Sequence, residues 1–148
     1  MVITMMAQQL SIFMENKPGQ LVRVTGTLAE AGIDIRAMSI ADTKDFGIVR
    51  MIVSDCEKAQ AVMREKGFMS TVTRVMCIAL NDQPGGLGAV TECLSAANVN
   101  IDYVYACITE IGKSAYIVMH VDDEQKAIEV LEKAGINMVS AENLAELS

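Results

Sequence analysis

Pro18-Gly-Gln-Leu-Val-Arg-Val-Thr-Gly-Thr-Leu-Ala-Glu-Ala-Gly-Ile-Asp-Ile35 returns 66 residues later as Pro84-Gly-Gly-Leu-Gly-Ala-Val-Thr-Glu-Cys-Leu-Ser-Ala-Ala-Asn-Val-Asn-Ile101. Eight of the 18 aligned positions are identical, among them the Pro-Gly pair and the apolar Leu21/Leu87, Val24/Val90, Leu28/Leu94 and Ile35/Ile101. Farther along, Met51-Ile-Val-Ser-Asp55 meets Met119-His-Val-Asp-Asp123 at an offset of 68, and Gly67 meets Gly135 at that same offset, which places a two-residue insertion near Glu110 to Ser114. Self-similarity at a fixed period decides an architecture before any single element is assigned. The 148 residues therefore read as two copies of one unit, with domains over 1–72 and 73–148 and no Pro/Ser-rich linker between them. A unit this small leans on a neighbour for stability.

One copy gives the element order. Leu10, Ile12 and Met14 alternate with Ser11 and Phe13 as a half-buried strand, and Met76, Ile78 and Leu80 repeat the pattern. After each Pro-Gly, Leu21, Val24, Leu28 and Ala31, or Leu87, Val90, Leu94 and Ala97, fall on one helical face, closed by Gly32 and by Asn98. Strands follow over 33–40 and 48–53, separated by a polar turn through 42–45. Ser54-Asp-Cys-Glu57 has capping-box spacing ahead of a helix carrying Ala59, Val62 and Met63, which Gly67 ends before a last short strand near 68–73. The order βαββαβ, twice over, predicts an α+β fold of two ferredoxin-like units packed side by side with antiparallel sheets. On the third strand of each copy, both alternating sets are largely apolar, so the sheet face away from the helices also needs cover.

Composition narrows the function. At 51% apolar and 21% charged, the chain is globular, and its net charge of −7 disfavours a nucleic-acid partner, which clustered Lys and Arg would have to hold. The Arg/Lys-Gly-aromatic signature of RNA-recognition domains, which share this element order, is missing. The longest apolar run, Val75 to Leu80, is far too short to cross a bilayer, and the opening Met1-Val-Ile-Thr-Met-Met-Ala lacks the marks of a signal peptide, so a cytoplasmic protein with no membrane partner is expected. Cys56, Cys77, Cys93 and Cys107 are widely spaced and His120 is the single histidine, so neither a metal site nor a redox pair is signalled. His120 has no Asp/Glu or Ser/Cys motif beside it in the sequence and reads as an exposed or interface residue. Asp122-Asp-Glu124 reads as the start of a helix, and Tyr103 and Tyr105, on one strand face, line a pocket or simply pack. No catalytic residue and no cofactor motif is identified; Gly85-Gly-Leu-Gly88 lacks the Lys-Ser/Thr of a phosphate loop.

The Pro-Gly turns carry the chemistry that remains. They read Asn16-Lys17-Pro18-Gly19-Gln20-Leu21 and Asp82-Gln83-Pro84-Gly85-Gly86-Leu87. Proline at a helix start sacrifices no intrahelical bond, and the neighbouring N–H groups stay free at the positive end of the helix dipole, suited to a carboxylate. Gly19 and Gly85 hold nothing in a ligand's way, and Asn16 and Asp82 offer oxygens to an α-ammonium group. Such a turn also serves as a plain strand-to-helix connector. Its recurrence after the same strand favours a shared task.

Leu10-Ser-Ile-Phe-Met-Glu-Asn-Lys-Pro-Gly-Gln-Leu, followed by Leu28-Ala-Glu-Ala-Gly-Ile-Asp-Ile35, resembles an ACT domain, the small amino-acid-binding regulatory module; Asp82-Gln-Pro-Gly-Gly-Leu87 with Ala97-Asn-Val-Asn-Ile101 resembles another. The resemblance implies paired domains whose ligands lodge where the strand-one turn of one meets strand two of the other. That sets Asn16, Pro18, Gly19, Gln20 and Leu21 against Asn100, Ile101, Asp102 and Tyr103, and Asp82, Pro84, Gly85, Gly86 and Leu87 against Asp34, Ile35, Arg36 and Ala37. The copies differ here: Lys17 against Gln83, Gln20 against Gly86, Arg36 against Asp102 and Ala37 against Tyr103 make two unequal pockets. The implied protein is a non-catalytic, homodimeric binder of a small amino acid that acts through an enzyme or regulator. A second reading is a regulatory small subunit of an amino-acid biosynthetic enzyme, since Leu10 to Met14 with Glu15-Asn16 also resembles the N-terminal part of the acetolactate synthase small subunit.

Overall fold

A computed structural model describes residues 6–80, 83–107 and 115–139. The elements run β1 (Met6–Glu15), α1 (Gln20–Glu30), β2 (Ile35–Asp42), β3 (Phe46–Val53), α2 (Cys56–Glu65), β4 (Met69–Leu80), α3 (Gly86–Ala96), β5 (Ile101–Ala106), β6 (Ala115–Val121) and α4 (Glu124–Lys133). The twice-repeated βαββαβ order expected from the sequence is present, with two differences. The closing strand of the first copy and the opening strand of the second are a single strand, β4, because nothing between Met69 and Leu80 interrupts the extended backbone. The closing strand of the second copy is reduced to a bridge between Ile78 and Met138, flanked by the Ala79 N–H on the Asn137 carbonyl (2.9 Å) and the Val139 N–H on that of Cys77 (2.7 Å).

Two compact units result. The first spans Gln8–Thr73, and the second joins Met6 and Ala7 to the described residues from Arg74 onward. In the first unit the strands lie in the order β2-β3-β1, antiparallel, with Leu10 opposite Met51 and Ile12 opposite Val49. These four side chains face α1 and α2, closing a core with Val24, Leu28, Ala59 and Met63. The second unit has the order β4-β6-β5, with Met76 opposite Met119 and Ile78 opposite Ile117. Its core adds Val90 and Leu94 of α3 and Ala127, Ile128 and Leu131 of α4. The spacing of three and four between these helical residues is what turns one apolar stripe toward each sheet.

The opposite sheet faces are withdrawn from water as well. Ser11, Ala37 and Ile52 in the first unit and Val75, Cys77 and Val118 in the second are buried without belonging to either helix-facing cluster. Gln9 is fully buried there too and donates to the Ser11 hydroxyl at 3.2 Å. Among the described residues no helix is long and apolar enough to cross a membrane.

Met6 belongs by sequence to the first copy, yet it packs with Met76, Val90 and Leu131 in the second core. Met6→Ala is expected to lower stability by about 2 kcal/mol, the low end for a buried methionine. Hydrogen exchange should show the loss in the amides of α3 and α4, and equal loss in α1 and α2 would contradict this placement.

Candidate functional site

Each unit offers the same two features, at opposite ends of its sheet. At one end the chain leaves the first strand through the Pro-Gly turn. Gly19 and Gly85 sit at φ 91° and φ 89°, a left-handed conformation that side chains resist, immediately before α1 and α3. No side chain caps either helix. The contrast lies within the molecule: α2 and α4 are capped by Asp55 and Asp123, whose carboxylates accept from the N–H groups of Lys58 (3.0 Å) and Lys126 (3.1 Å). The cap of α2 is thus Asp55 rather than the Ser54 that capping-box spacing suggests, since the Ser54 hydroxyl is engaged by the Asp34 N–H at 2.9 Å.

The turn residues divide by role. Pro18, Gly19, Pro84 and Gly85 are exposed, as is Leu87, while Leu21 and Gly86 are half-buried. Gln20 is buried, and its side-chain oxygen lies 3.5 Å from an Arg23 guanidinium nitrogen, so it faces its own helix. Its N–H reaches back to the Lys17 carbonyl at 3.4 Å, as that of Gly86 does to Gln83 at 3.1 Å. Asn16 ties the turn to the β2–β3 loop: its N–H donates to Asp45 (2.9 Å) and its amide to the Thr43 carbonyl (3.2 Å). Asp82 lies outside the described residues.

At the other end, the start of β2 and of β5 carries a β-bulge at the equivalent place, between Ile35 and Ala37 and between Ile101 and Tyr103. The bulged residues are Arg36 and Asp102, a pair opposite in charge between the copies. A bulge re-aims a side chain out of the ladder's alternation. Arg36 turns to Asp34, 3.0 Å away, with its own side chain only 14% exposed. Asp102 accepts from the Asn100 amide at 3.0 Å and meets His120 Nδ1 at 2.8 Å. The His120 ring stacks on Tyr103 (5.2 Å, 7°), and Tyr103 on Tyr105 (6.4 Å, 16°). In the first unit the equivalent pair, Ala37 and Ile52, is apolar and buried. Beside β5 opens a cavity of about 480 Å³ lined by Thr91, Ser95, Asn98, Asn100 and Asp122.

The Asp102–His120 pair was invisible in the sequence because the two residues stand 18 apart and only the β5–β6 register joins them. Asp122-Asp-Glu124 does open helix α4, with Asp123 as its cap; the Asp122 carboxylate also accepts from the Asn100 N–H at 2.9 Å, doing for the second unit what Ser54 does for the first. Among the thiols, Cys56 is raised above the usual range by burial and by the neighbouring Asp55 carboxylate. No cluster of three or more metal-ligating side chains occurs among the described residues.

The two features of one unit do not meet. In the first unit the turn follows the Glu15–Phe46 end of the sheet and the bulge faces Val53. Seven steps along β3, from Phe46 to Val53, separate those ends, roughly 23 Å at about 3.3 Å per residue.

Comparison with known proteins agrees with this architecture. The family model of an ACT domain pair matches residues 5–148. The chain is similar to a protein of Bacteroides thetaiotaomicron of known crystal structure, with 39% identity and a TM-score of 0.90 over 97% of this chain and 98% of that one. The regulatory subunit of aspartate kinase from Thermus thermophilus has the same fold at 15% identity, with a TM-score of 0.62 over 89% of this chain and 98% of that one. A "probable acetolactate synthase small subunit" of Archaeoglobus fulgidus is 23% identical over 88% of this chain and 89% of its own length.

Backbone conformation makes the glycines separable by experiment. A Cβ at Gly19, Gly85, Gly26 or Gly88 would meet no heavy atom within 4 Å. Gly19→Ala and Gly85→Ala are each expected to lose about 1–2 kcal/mol through the left-handed backbone alone. Gly26→Ala, within α1, should gain about 1 kcal/mol. Urea unfolding of the three variants checks the opposite signs.

Proposed function

Because the chain belongs to the ACT domain family, as a pair of such domains, we propose that it is a non-catalytic regulatory protein that binds a small α-amino acid. The observation that carries this reading is the pair of uncapped helix entrances behind Gly19 and Gly85, where the other two helices of the described residues are capped by aspartates. An α-carboxylate there gains N–H donors and the positive end of a helix dipole, together about 0.3–2 kcal/mol according to burial. A bulged strand start from another ACT unit completes the site, because a single unit keeps its turn and its bulge at opposite ends. Turn residues Pro18, Gly19 and Leu21, or Pro84, Gly85, Gly86 and Leu87, then hold the acid end, the Asn16 side-chain oxygen meets the ammonium group, and Arg36 or Asp102 with Tyr103 reads the rest. Arg36 and Asp102 favour ligands of different charge at the two kinds of site. A homodimer in the cytoplasm, acting on an enzyme or regulator, fits this reading.

Differential scanning fluorimetry of the full chain against the twenty amino acids tests it. One ligand at 100 times its dissociation constant should add about 2.7 kcal/mol of stability. Gly19→Asp and Gly85→Asp should each reduce the calorimetric stoichiometry, since a carboxylate at the entrance repels the ligand's own, while circular dichroism shows the fold retained. No response to any amino acid, or normal binding by both variants, overturns the proposal.

The relative named as an acetolactate synthase small subunit supports a second reading, in which the enzyme regulated is of that kind. Co-purification with the host's acetolactate synthase catalytic subunit, and a change in its feedback inhibition, would establish it. A catalytic subunit that neither binds the chain nor responds to it would exclude it.

A further inference from the structure

Two thiols far apart in the sequence meet in the second unit. Cys77 lies on β4, opposite Val118, and Cys107 directly follows β5, with its N–H on the Tyr116 carbonyl at 2.9 Å. Both come from strands that flank β6, and their sulfurs approach to 3.9 Å on the sheet face turned away from α3 and α4. Cys77 is fully buried and Cys107 half-buried. Of the other thiols, Cys56 packs in the first unit's core and Cys93 donates to the Val130 carbonyl at 3.5 Å.

We propose that Cys77 and Cys107 form a peroxide-responsive dithiol that closes reversibly to an intrachain disulfide and shifts strand β5. The more accessible Cys107 reacts first. The two thiols share a hydrogen-bond contact, and with Cys77 as its donor Cys107 is held below the usual thiol range while Cys77, with burial added, is pushed up. Thiolate is the attacking form. The Cys107 sulfur attacks one oxygen of the peroxide, the O–O bond breaks, and a sulfenic acid forms as hydroxide or alkoxide leaves. Cys77 then attacks that sulfur, its proton joins the departing hydroxide as water, and the S–S bond closes. Two electrons pass from the two sulfurs to the peroxide.

The geometry argues for a switch rather than a permanent staple. A disulfide needs its sulfurs about 2.05 Å apart and its Cβ atoms about 3.8 Å apart. With β6 between the two strands, closure must draw β4 and the end of β5 together and deepen the curl of that part of the sheet. Bonds strained in this way are the more readily reduced. The strand that moves carries Asp102, Tyr103 and Tyr105.

The test treats the full chain with hydrogen peroxide, blocks the remaining thiols and maps the peptides. The expected product has lost about 2 Da, the two thiol hydrogens, contains a crosslink between the peptides of Cys77 and Cys107, and returns to the starting mass with dithiothreitol. The tyrosine band in near-ultraviolet circular dichroism should change with the same time course, as the rings of β5 shift. Cys107→Ser should abolish both signals, and Cys93→Ser neither. Oxidation that stops at sulfenic or sulfinic acid on Cys107, a disulfide between two chains, or a crosslink with an unchanged tyrosine band overturns the proposal. Cys107→Ser alters a half-buried position, so the test does not depend on replacing the buried Cys77.

Discussion

The crossover from β1 through α1 to β2 returns the chain to the end of the sheet from which it set out, because β1 and β2 both run antiparallel to β3. The bare helix entrance and the bulged strand start are therefore held at opposite ends by the length of β3 itself. No side-chain rearrangement within a unit can bring them together, since the register of the ladder is fixed by the burial of Leu10, Ile12, Val49 and Met51. Each unit thus keeps its turn and its bulge apart. The uncapped helices fit that division. Asp55 and Asp123 satisfy α2 and α4 locally, whereas the glycines before α1 and α3 present only backbone.

Duplication has kept the frame and altered the lining. Both copies retain the left-handed glycine, the bulge and the two-way bond between the residue two before the bulge and the one just past the third strand: Asp34 with Ser54, and Asn100 with Asp122. Where the first unit buries Ala37 beside Ile52, the second stacks Tyr103 on His120 and holds that imidazole with Asp102. An apolar pair contributes packing only. A carboxylate, an imidazole and two phenol rings contribute directional donors, acceptors and charge, so the two copies differ in chemistry at the bulge.

The fold was legible because its evidence is periodic and local. The repeated Pro-Gly, the alternation of Leu10, Ile12 and Met14, and the helix-closing Gly32 and Gly67 each report on a few neighbouring residues, and both glycines take the positive φ that the position demands. The site was legible at its turns for the same reason. Its other half was not, because a bulge has no composition of its own and the meetings of Asp102 with His120 and of Cys77 with Cys107 arise from strand register across 18 and 30 residues. The continuity of β4 was also hidden: Thr71 to Arg74 looks like a junction in a repeat and is simply more strand.

That continuity ties two registers to single strands. β4 passes from the first unit into the second without a loop, and β1 does the reverse, giving Met6 to the second core while Leu10 and Ile12 serve the first. Among the described residues β1 and β4 alone belong to both units. A slip of one residue in either strand would turn buried methionines toward water, because side chains alternate between the two faces.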